Sequence, residues 1–241
     1  MTDFPRIDRD QVPELTTAQM IEVDRAMIDH YGIELIQMME NAGRSLAQLA
    51  KTAFLGGAPQ GKRVTVLAGA GGNGGGAMVA ARRLAAWGAD MHVSLSQPPE
   101  YLKGVPAHQH SILQEMGVEV VTSPPQVSDA DLILDGLIGY ALQGAPRGLA
   151  GELIGWASDQ SAAVLSLDTP SGLDTTTGTA HDPGIVADAT LTLALPKKGL
   201  RHPRIGTLYL GDISVPPDLY WRFLNLEVGP IFAASDILRL D

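Results

Sequence analysis

Two periodicities divide the chain. From Leu15 to about Ala53 the apolar positions recur at helical spacing. Thr16 and Gln19 fit a capping box, so a helix is expected to follow, with Met20, Val23 and Met27 on one face and Gly32 breaking it. A second helix, about Glu34 to Ala53, turns Leu35, Met38, Met39, Ala42, Leu46 and Leu49 inward. Gly43 lies mid-helix at a cost of about 1 kcal/mol against Ala, which points to close packing there. From Lys62 short apolar runs alternate with amphipathic stretches. Strands are expected at Val64–Leu67, Met91–Ser96, Val118–Val121, Leu132–Asp135, Val164–Asp168 and Ala189–Leu195, with a last, edge strand at Thr207–Leu210. Helices are expected after Gly76, at about Ala107–Met116 and at about Leu149–Ser158. Such alternation implies an α/β fold with a parallel sheet and helices on both faces. The expected division of the single domain 1–241 is a two-helix extension over 1–60, a sheet core over 61–216 and a tail over 217–241.

The stretch Val64–Leu84 organises this pattern. It reads strand, glycine-rich turn, helix, with six glycines in the eight residues Gly69–Gly76. Glycines there are expected to permit positive φ or a close approach of ligand to backbone. The helix start then offers N–H groups and its dipole to an anion such as phosphate. Gly69, Gly71 and Gly74 fit G-x-G-x-x-G, a weak signal alone. The acidic residue that would hold a ribose hydroxyl falls near Asp90, ahead of the second strand instead of after it, which disfavours an ordinary dehydrogenase.

In open parallel sheets ligands sit outside the carboxyl ends of the strands. Three such ends carry polar groups: Asn73 in the glycine loop, Asp135 after Leu132–Leu134, and Asp168 after Val164–Leu167. Hard oxygens from Asn73, Asp135 and Ser171, without clustered His or any Cys, suit an alkali or alkaline-earth cation. Asp168 is then the candidate acid–base group. The net charge of −10 argues against a nucleic-acid surface as the main role. Zero cysteines remove thiolate and disulfide chemistry. The polar, acidic start is unlike a signal peptide and no run approaches membrane-spanning length, so the expectation is a cytoplasmic protein with no membrane partner.

These same segments carry a family resemblance: LTTAQMIEVDRAMIDHYGI, MMENAG, GAGGNGGGAMVAARRL, LDGLIGYALQG, LDTPSGLDTTTG and ADATLTLALPKKGL. From about Leu15 to Pro216 the chain resembles the YjeF N-terminal domain family, the NAD(P)H-hydrate epimerases. The resemblance implies a three-layer Rossmann-like fold, commonly dimeric. It implies epimerisation of hydrated NADH or NADPH at the hydroxylated nicotinamide carbon, with the S epimer passing to a separate ATP- or ADP-dependent dehydratase. It implies potassium held by Asn73, Asp135 and Ser171, and Asp168 contacting the hydrate as catalytic residue. It further implies substrate binding by Gly72, Asn73, Gly74, Gly75 and Gly76, and by a second loop of Gly139, Tyr140, Ala141, Leu142, Gln143, Gly144 and Ala145. The chain departs from the family loop G-x-G-N-N-G-G-D-G at Gly72, Gly76 and Ala77. Gly76 in place of Asp is expected to remove a carboxylate from the substrate pocket. A non-catalytic relative that binds a nucleotide or RNA, or scaffolds a complex, is therefore the alternative.

Other residues carry two readings each. Glu40 and Asn41 reach a ligand from a helix face, or are a solvated Glu and a capping-type Asn. Lys197 and Lys198 meet phosphate, or form a solvated pair. Asp174 to Thr177 form a turn beside the site, with a nucleotide contact as the sharper reading. His108 and His110 face apart, and His181 and His202 read as surface. Tyr220, Trp221 and Phe223 read as core or dimer packing.

Overall fold

A computed structural model describes residues 4–126 and 129–241. In chain order its elements are β1 (Arg6–Ile7), α1 (Thr17–Tyr31), α2 (Leu35–Leu49), β2 (Arg63–Ala68), α3 (Gly72–Ala86), β3 (Asp90–Leu95), α4 (Gly104–Glu115), β4 (Glu119–Val121), β5 (Leu132–Gly136), α5 (Gly148–Ser158), β6 (Ala163–Leu167), β7 (Ala189–Leu193), β8 (Thr207–Gly211), α6 (Pro217–Leu224) and β9 (Ile237–Leu240). Among the described residues the strands form one nine-stranded sheet in the order β1-β9-β8-β7-β6-β5-β2-β3-β4. Every pairing is parallel except β8 with β9.

The central strands alternate their burial between two apolar layers. Val64, Val66, Leu132, Leu134, Leu165 and Leu167 join the main core with α1 to α4. Leu67, Ile133 and Val164 face the other way, onto Leu153, Ile154 and Ala157 of α5. Helices therefore cover both faces, as the alternating pattern predicts. The Thr16–Gln19 capping box is formed. Gly43 earns its helical position by contact: a Cβ there would collide with the Gly76 carbonyl and Val79 of α3.

The expected division of the chain is corrected at both ends. Thr207–Gly211 is not the sheet's edge, because β9 pairs with it and β1 pairs with β9. The arm and the tail thus belong to the sheet. The two N-terminal helices are not an appendage either, since their buried residues share the main core with the strands.

The order of strands reverses once near the centre. The chain runs outward through β2, β3 and β4, returns to β5 on the other side of β2, then continues through β6 to β8. The loops after β2 and β5 lead to α3 and α5 on opposite faces of the sheet, and a crevice lies above their shared root, between the strand ends and α1 and α2. That is where a doubly wound sheet places its ligand.

Candidate active site

The glycine segment builds one side of the crevice by a different route from the expected one. None of the six glycines from Gly69 to Gly76 has positive φ. Gly72 opens α3 directly, after an N-cap at Gly71 that carries no side chain to cap it. Absence of a Cβ matters here for closeness. At Gly69 a Cβ would strike the Leu137 carbonyl, and at Gly74 it would strike the Gly69 carbonyl. The β2 and β5 loops can therefore press together, joined by Gly69 N–H to the Gly136 carbonyl at 3.0 Å.

Over this floor lies a cavity of about 460 Å³. Gly71, Gly72 and Asn73 line one side, Gly139, Tyr140 and Ala141 another, and Asp168 and Lys197 the base. Met20, Asp24 and Ile28 of α1 and Met39 of α2 close it from the helical side. Gly74, Gly75 and Gly76 are buried in α3 behind the lining. At Gly76 a Cβ would lie 2.9 Å from Leu167 Cδ2 and 3.6 Å from the Ala42 methyl, so this position faces packed apolar side chains. Leu142, Gln143, Gly144 and Ala145 line a neighbouring surface hollow with Arg147.

Asp168 stands just past the end of β6 with φ of 66°. A non-glycine residue there costs of order 1–3 kcal/mol and persists only where its surroundings hold it. The surroundings are explicit. Asp168 N–H donates to the Leu191 carbonyl at 2.7 Å. Lys197 Nζ donates to Asp168 Oδ1 at 2.5 Å, and the Tyr140 N–H donates to Oδ2 at 3.1 Å. Both partners of the ion pair are essentially inaccessible, at 0% and 3% side-chain exposure.

This corrects both readings of Lys197, since it is neither solvated nor free to meet phosphate. Its remaining donors go to the Leu193 carbonyl at 2.9 Å and Thr192 Oγ1 at 3.3 Å. The arm before α1 seals it in. Leu15 N–H donates to the Pro196 carbonyl at 2.8 Å, and Lys198 N–H returns a bond to Leu15 at 3.0 Å. Lys198 itself is exposed.

Asp135 and Ser171 lie beneath the cavity, not on its wall. Asp135 is completely buried. Its Oδ1 accepts from Ser171 Oγ at 2.6 Å and Leu137 N–H at 3.2 Å. Its Oδ2 accepts from Ser166 Oγ at 2.8 Å and Ser171 N–H at 2.9 Å. Every partner is neutral, and burial pushes the Asp135 carboxyl above the usual carboxylate range. Asn73 is tied from above, its Nδ2 donating to the Leu167 carbonyl at 2.8 Å while its Oδ1 faces Gly139. Among the described residues no three His, Cys, Asp or Glu side chains gather as a transition-metal site. A buried carboxyl whose hydrogen-bond partners are all neutral, beside hydroxyl and amide oxygens, is a set of hard oxygen donors of the kind that suits an alkali or alkaline-earth cation.

Two other segments act as supports. Asp174 accepts from Thr176 and Thr177 N–H at 2.9 and 2.7 Å, and those N–H groups hold its carboxyl below the usual range. The Thr175 and Thr176 hydroxyls meet Thr17 Oγ1 at 3.0 and 2.7 Å, docking the start of α1. Glu40 forms ion pairs with Arg82 and Arg83 of α3 while its side chain stays 35% exposed, so it fastens two helices at the surface. His110 is buried on α4 while His108 is exposed. Tyr220 is buried, and Trp221 is 54% exposed.

Sequence reasoning passed over Asp24. It accepts a hydrogen bond from the Tyr140 hydroxyl and lines the cavity. Its neighbours Glu22, Arg25 and Asp29 form an exposed ion-pair cluster, which disguises it. The available signal is spacing: Asp24 is four residues from Met20 and from Ile28, on the stripe that faces the crevice.

The YjeF-related protein N-terminus family matches residues 35–199, and the chain belongs to that family. It is 42% identical to the NAD(P)H-hydrate epimerase of Dehalogenimonas lykanthroporepellens, over 98% of this chain and 96% of the relative. A second NAD(P)H-hydrate epimerase, from Truepera radiovictrix, is 36% identical over 94% of this chain and 100% of the relative. The bifunctional NAD(P)H-hydrate repair enzyme Nnr of Salinibacter ruber is 34% identical over 85% of this chain, which spans 41% of that longer protein. The crystal structure of yeast ynu0 has the same fold, with a TM-score of 0.75 at 25% identity over 95% of this chain and 100% of the yeast chain. Among the described residues no helix is long and apolar enough to cross a membrane.

Proposed function

We propose that this chain interconverts the R and S hydrates of NADH and NADPH, with Asp168 moving a proton at the hydroxylated carbon of the nicotinamide ring. The observation that carries this reading is the Asp168–Lys197 ion pair at the base of a cavity at the sheet's switch point, in a chain so close to named epimerases along its whole length. Epimerisation requires water to leave the ring carbon on one face and return on the other. Asp168, fixed by Lys197 and the Tyr140 N–H, is oriented to take a proton from the entering water and to return it in the reverse direction. Positioned acid–base groups of this kind contribute about 10²–10⁴-fold.

Asn73, Asp135 and Ser171 would hold potassium. A bound potassium ion would supply positive charge to the strand-end loops and to substrate oxygens. The uncompensated Asp135 carboxylate supports that assignment. The open N-terminus of α3 beside Gly71 and Gly72 is suited to the substrate's phosphates. The longer repair enzymes that contain a matching region support a dehydratase as the consumer of the S epimer.

The test supplies an epimer mixture of hydrated NADPH, an S-specific dehydratase and ATP, and follows loss of the R epimer. Acceleration by the wild-type chain, abolished in Asp168→Asn, is the expected result. No acceleration in potassium at high protein concentration would overturn the proposal.

A further inference from the structure

Asp168 alone leaves the reaction half provided for. Expelling water needs a proton donor at the departing hydroxyl, while admitting water on the other face needs an acceptor. The cavity wall contains one other carboxyl among the described residues, Asp24. We infer that Asp24, with the Tyr140 hydroxyl bound to it, is the second proton-transfer group of this site, working from the α1 wall while Asp168 works from the strand-end base. The inference rests on the epimerase reading and adds a catalytic residue to it.

The geometry ties the two carboxyls through a single residue. Tyr140 donates its backbone N–H to Asp168 and its hydroxyl to Asp24. The start of the helix that carries Asp24 is fixed on either side of Lys197, through Leu15 against Pro196 and Lys198, and to the turn after β6, through Thr17 against Thr175. The environments of the two carboxyls differ in the sense the reaction needs. Lys197 pairs with Asp168. No cationic side chain among the described residues pairs with Asp24, which sits among Met20, Ile28, Leu35 and Met39. Burial pushes its carboxyl up, the Asp168 charge pushes the same way, and the Tyr140 hydroxyl and Lys197 oppose them. The two carboxyls thus differ in their neighbours, one paired with a buried cation and the other set against the apolar cavity wall.

The step balances. Protonated Asp24 gives its proton to the hydroxyl on the ring carbon. The C–O bond breaks, its electron pair leaves with water, and the ring nitrogen lone pair forms a C=N bond. A second water adds to the opposite face of that carbon, the C=N pair returns to nitrogen, and Asp168 takes the proton. The reverse direction exchanges the two roles, and solvent restores the starting protonation.

The test measures kcat, KM and the pH profile of kcat for Asp24→Asn and Tyr140→Phe in the epimer assay. The titratable groups facing Asp24 are Tyr140, Asp168, Lys197 and Tyr220. Asparagine keeps an acceptor for the Tyr140 hydroxyl, so Asp24→Asn is expected to lose at least 100-fold in kcat with KM within threefold, and to lose the fall of kcat at high pH. Tyr140→Phe keeps the N–H to Asp168. It is expected to lose about 10-fold in kcat and to move that fall to higher pH, because the lost hydroxyl had stabilised ionised Asp24. If Asp24→Asn fails to fold, the Tyr140→Phe displacement decides alone. Asp24→Asn turning over within threefold of wild type, or a high-pH limb unmoved in Tyr140→Phe, overturns the inference and leaves the function standing. A wild-type chain that accelerates nothing overturns both.

Discussion

The two edges of one sheet each open onto a cavity of similar size, and they handle charge in opposite ways. At the amino edge about 490 Å³ is lined by Arg63, Asp90, His92 and Glu119, among others. Charges at this edge pair in the open: Arg63 of the lining meets Asp129 with side chains 52% and 51% exposed, and Lys62 next to it meets Asp131 at 3.1 Å with side chains 44% and 36% exposed. At the carboxyl edge the cavity is about 460 Å³, and Asp168, Lys197 and Asp135 are at most 2% exposed. Asp168 and Ala194, which follow β6 and β7, have φ of 66° and 62°. A cavity is therefore not what distinguishes a site. Exposed ion pairs cost the fold little and contribute about 0–1 kcal/mol. Buried charges and left-handed residues are costly, and their concentration at one edge is what sets that edge apart and supports the proposed site there.

Lys197→Met tests this contrast with the largest expected effect. It strands the Asp168 charge with one N–H, so urea unfolding should show a loss of about 3–5 kcal/mol. A loss below 1 kcal/mol would make the pair no different from a surface bridge. Asp168→Asn should reduce epimerisation by about 10²–10⁴-fold, measured on protein whose circular dichroism matches wild type. The third effect concerns Asp135. A carboxyl raised by burial favours the fold at low pH, and that contribution is lost as pH rises through the shifted value. Potassium at the proposed Asn73, Asp135 and Ser171 site would offset the loss, and only when Asp135 is ionised. Replacing a large organic cation with potassium at ten times its Kd should raise Tm by about 3–6 °C at pH 8. The gain should shrink as pH falls toward the ordinary carboxylate value of about 3.9. The smallest effect belongs to the amino edge: Lys62→Ala should change stability by less than about 1 kcal/mol and leave kcat/KM within twofold.

What was legible in the sequence follows the same division. Strands β2, β5, β6 and β7 are buried on both faces beyond their first residues, so they read as mainly apolar runs interrupted only by Thr65, Ser166, Thr190 and Thr192, with Asp135 and Asp168 at the ends of β5 and β6. Strands β1 and β9 escaped notice because β1 is two residues long and β9, ILRL, follows a stretch without periodicity. The glycine segment announced itself, but its reason did not. Close approach of Gly69 and Gly74 to other backbone is a tertiary fact, whereas positive φ is a local one. Gly76 reads as a missing substrate contact, yet in the fold it faces Leu167, Ala42 and Met39. Lys197 is the sharpest case. One lysine of an adjacent pair reads as solvent-facing, and only the return of Leu15 across Pro196 buries it.

The central claim is that this buried, paired carboxylate at the switch point moves a proton in hydrate epimerisation. Nuclear magnetic resonance exchange between the separately resolved R and S hydrates, with no dehydratase present, tests it most directly. The account predicts that wild-type protein in potassium speeds the exchange equally from either epimer, and that Asp168→Asn returns it to the spontaneous rate. An Asp168→Asn protein that is folded and still exchanges the epimers at the wild-type rate would contradict it.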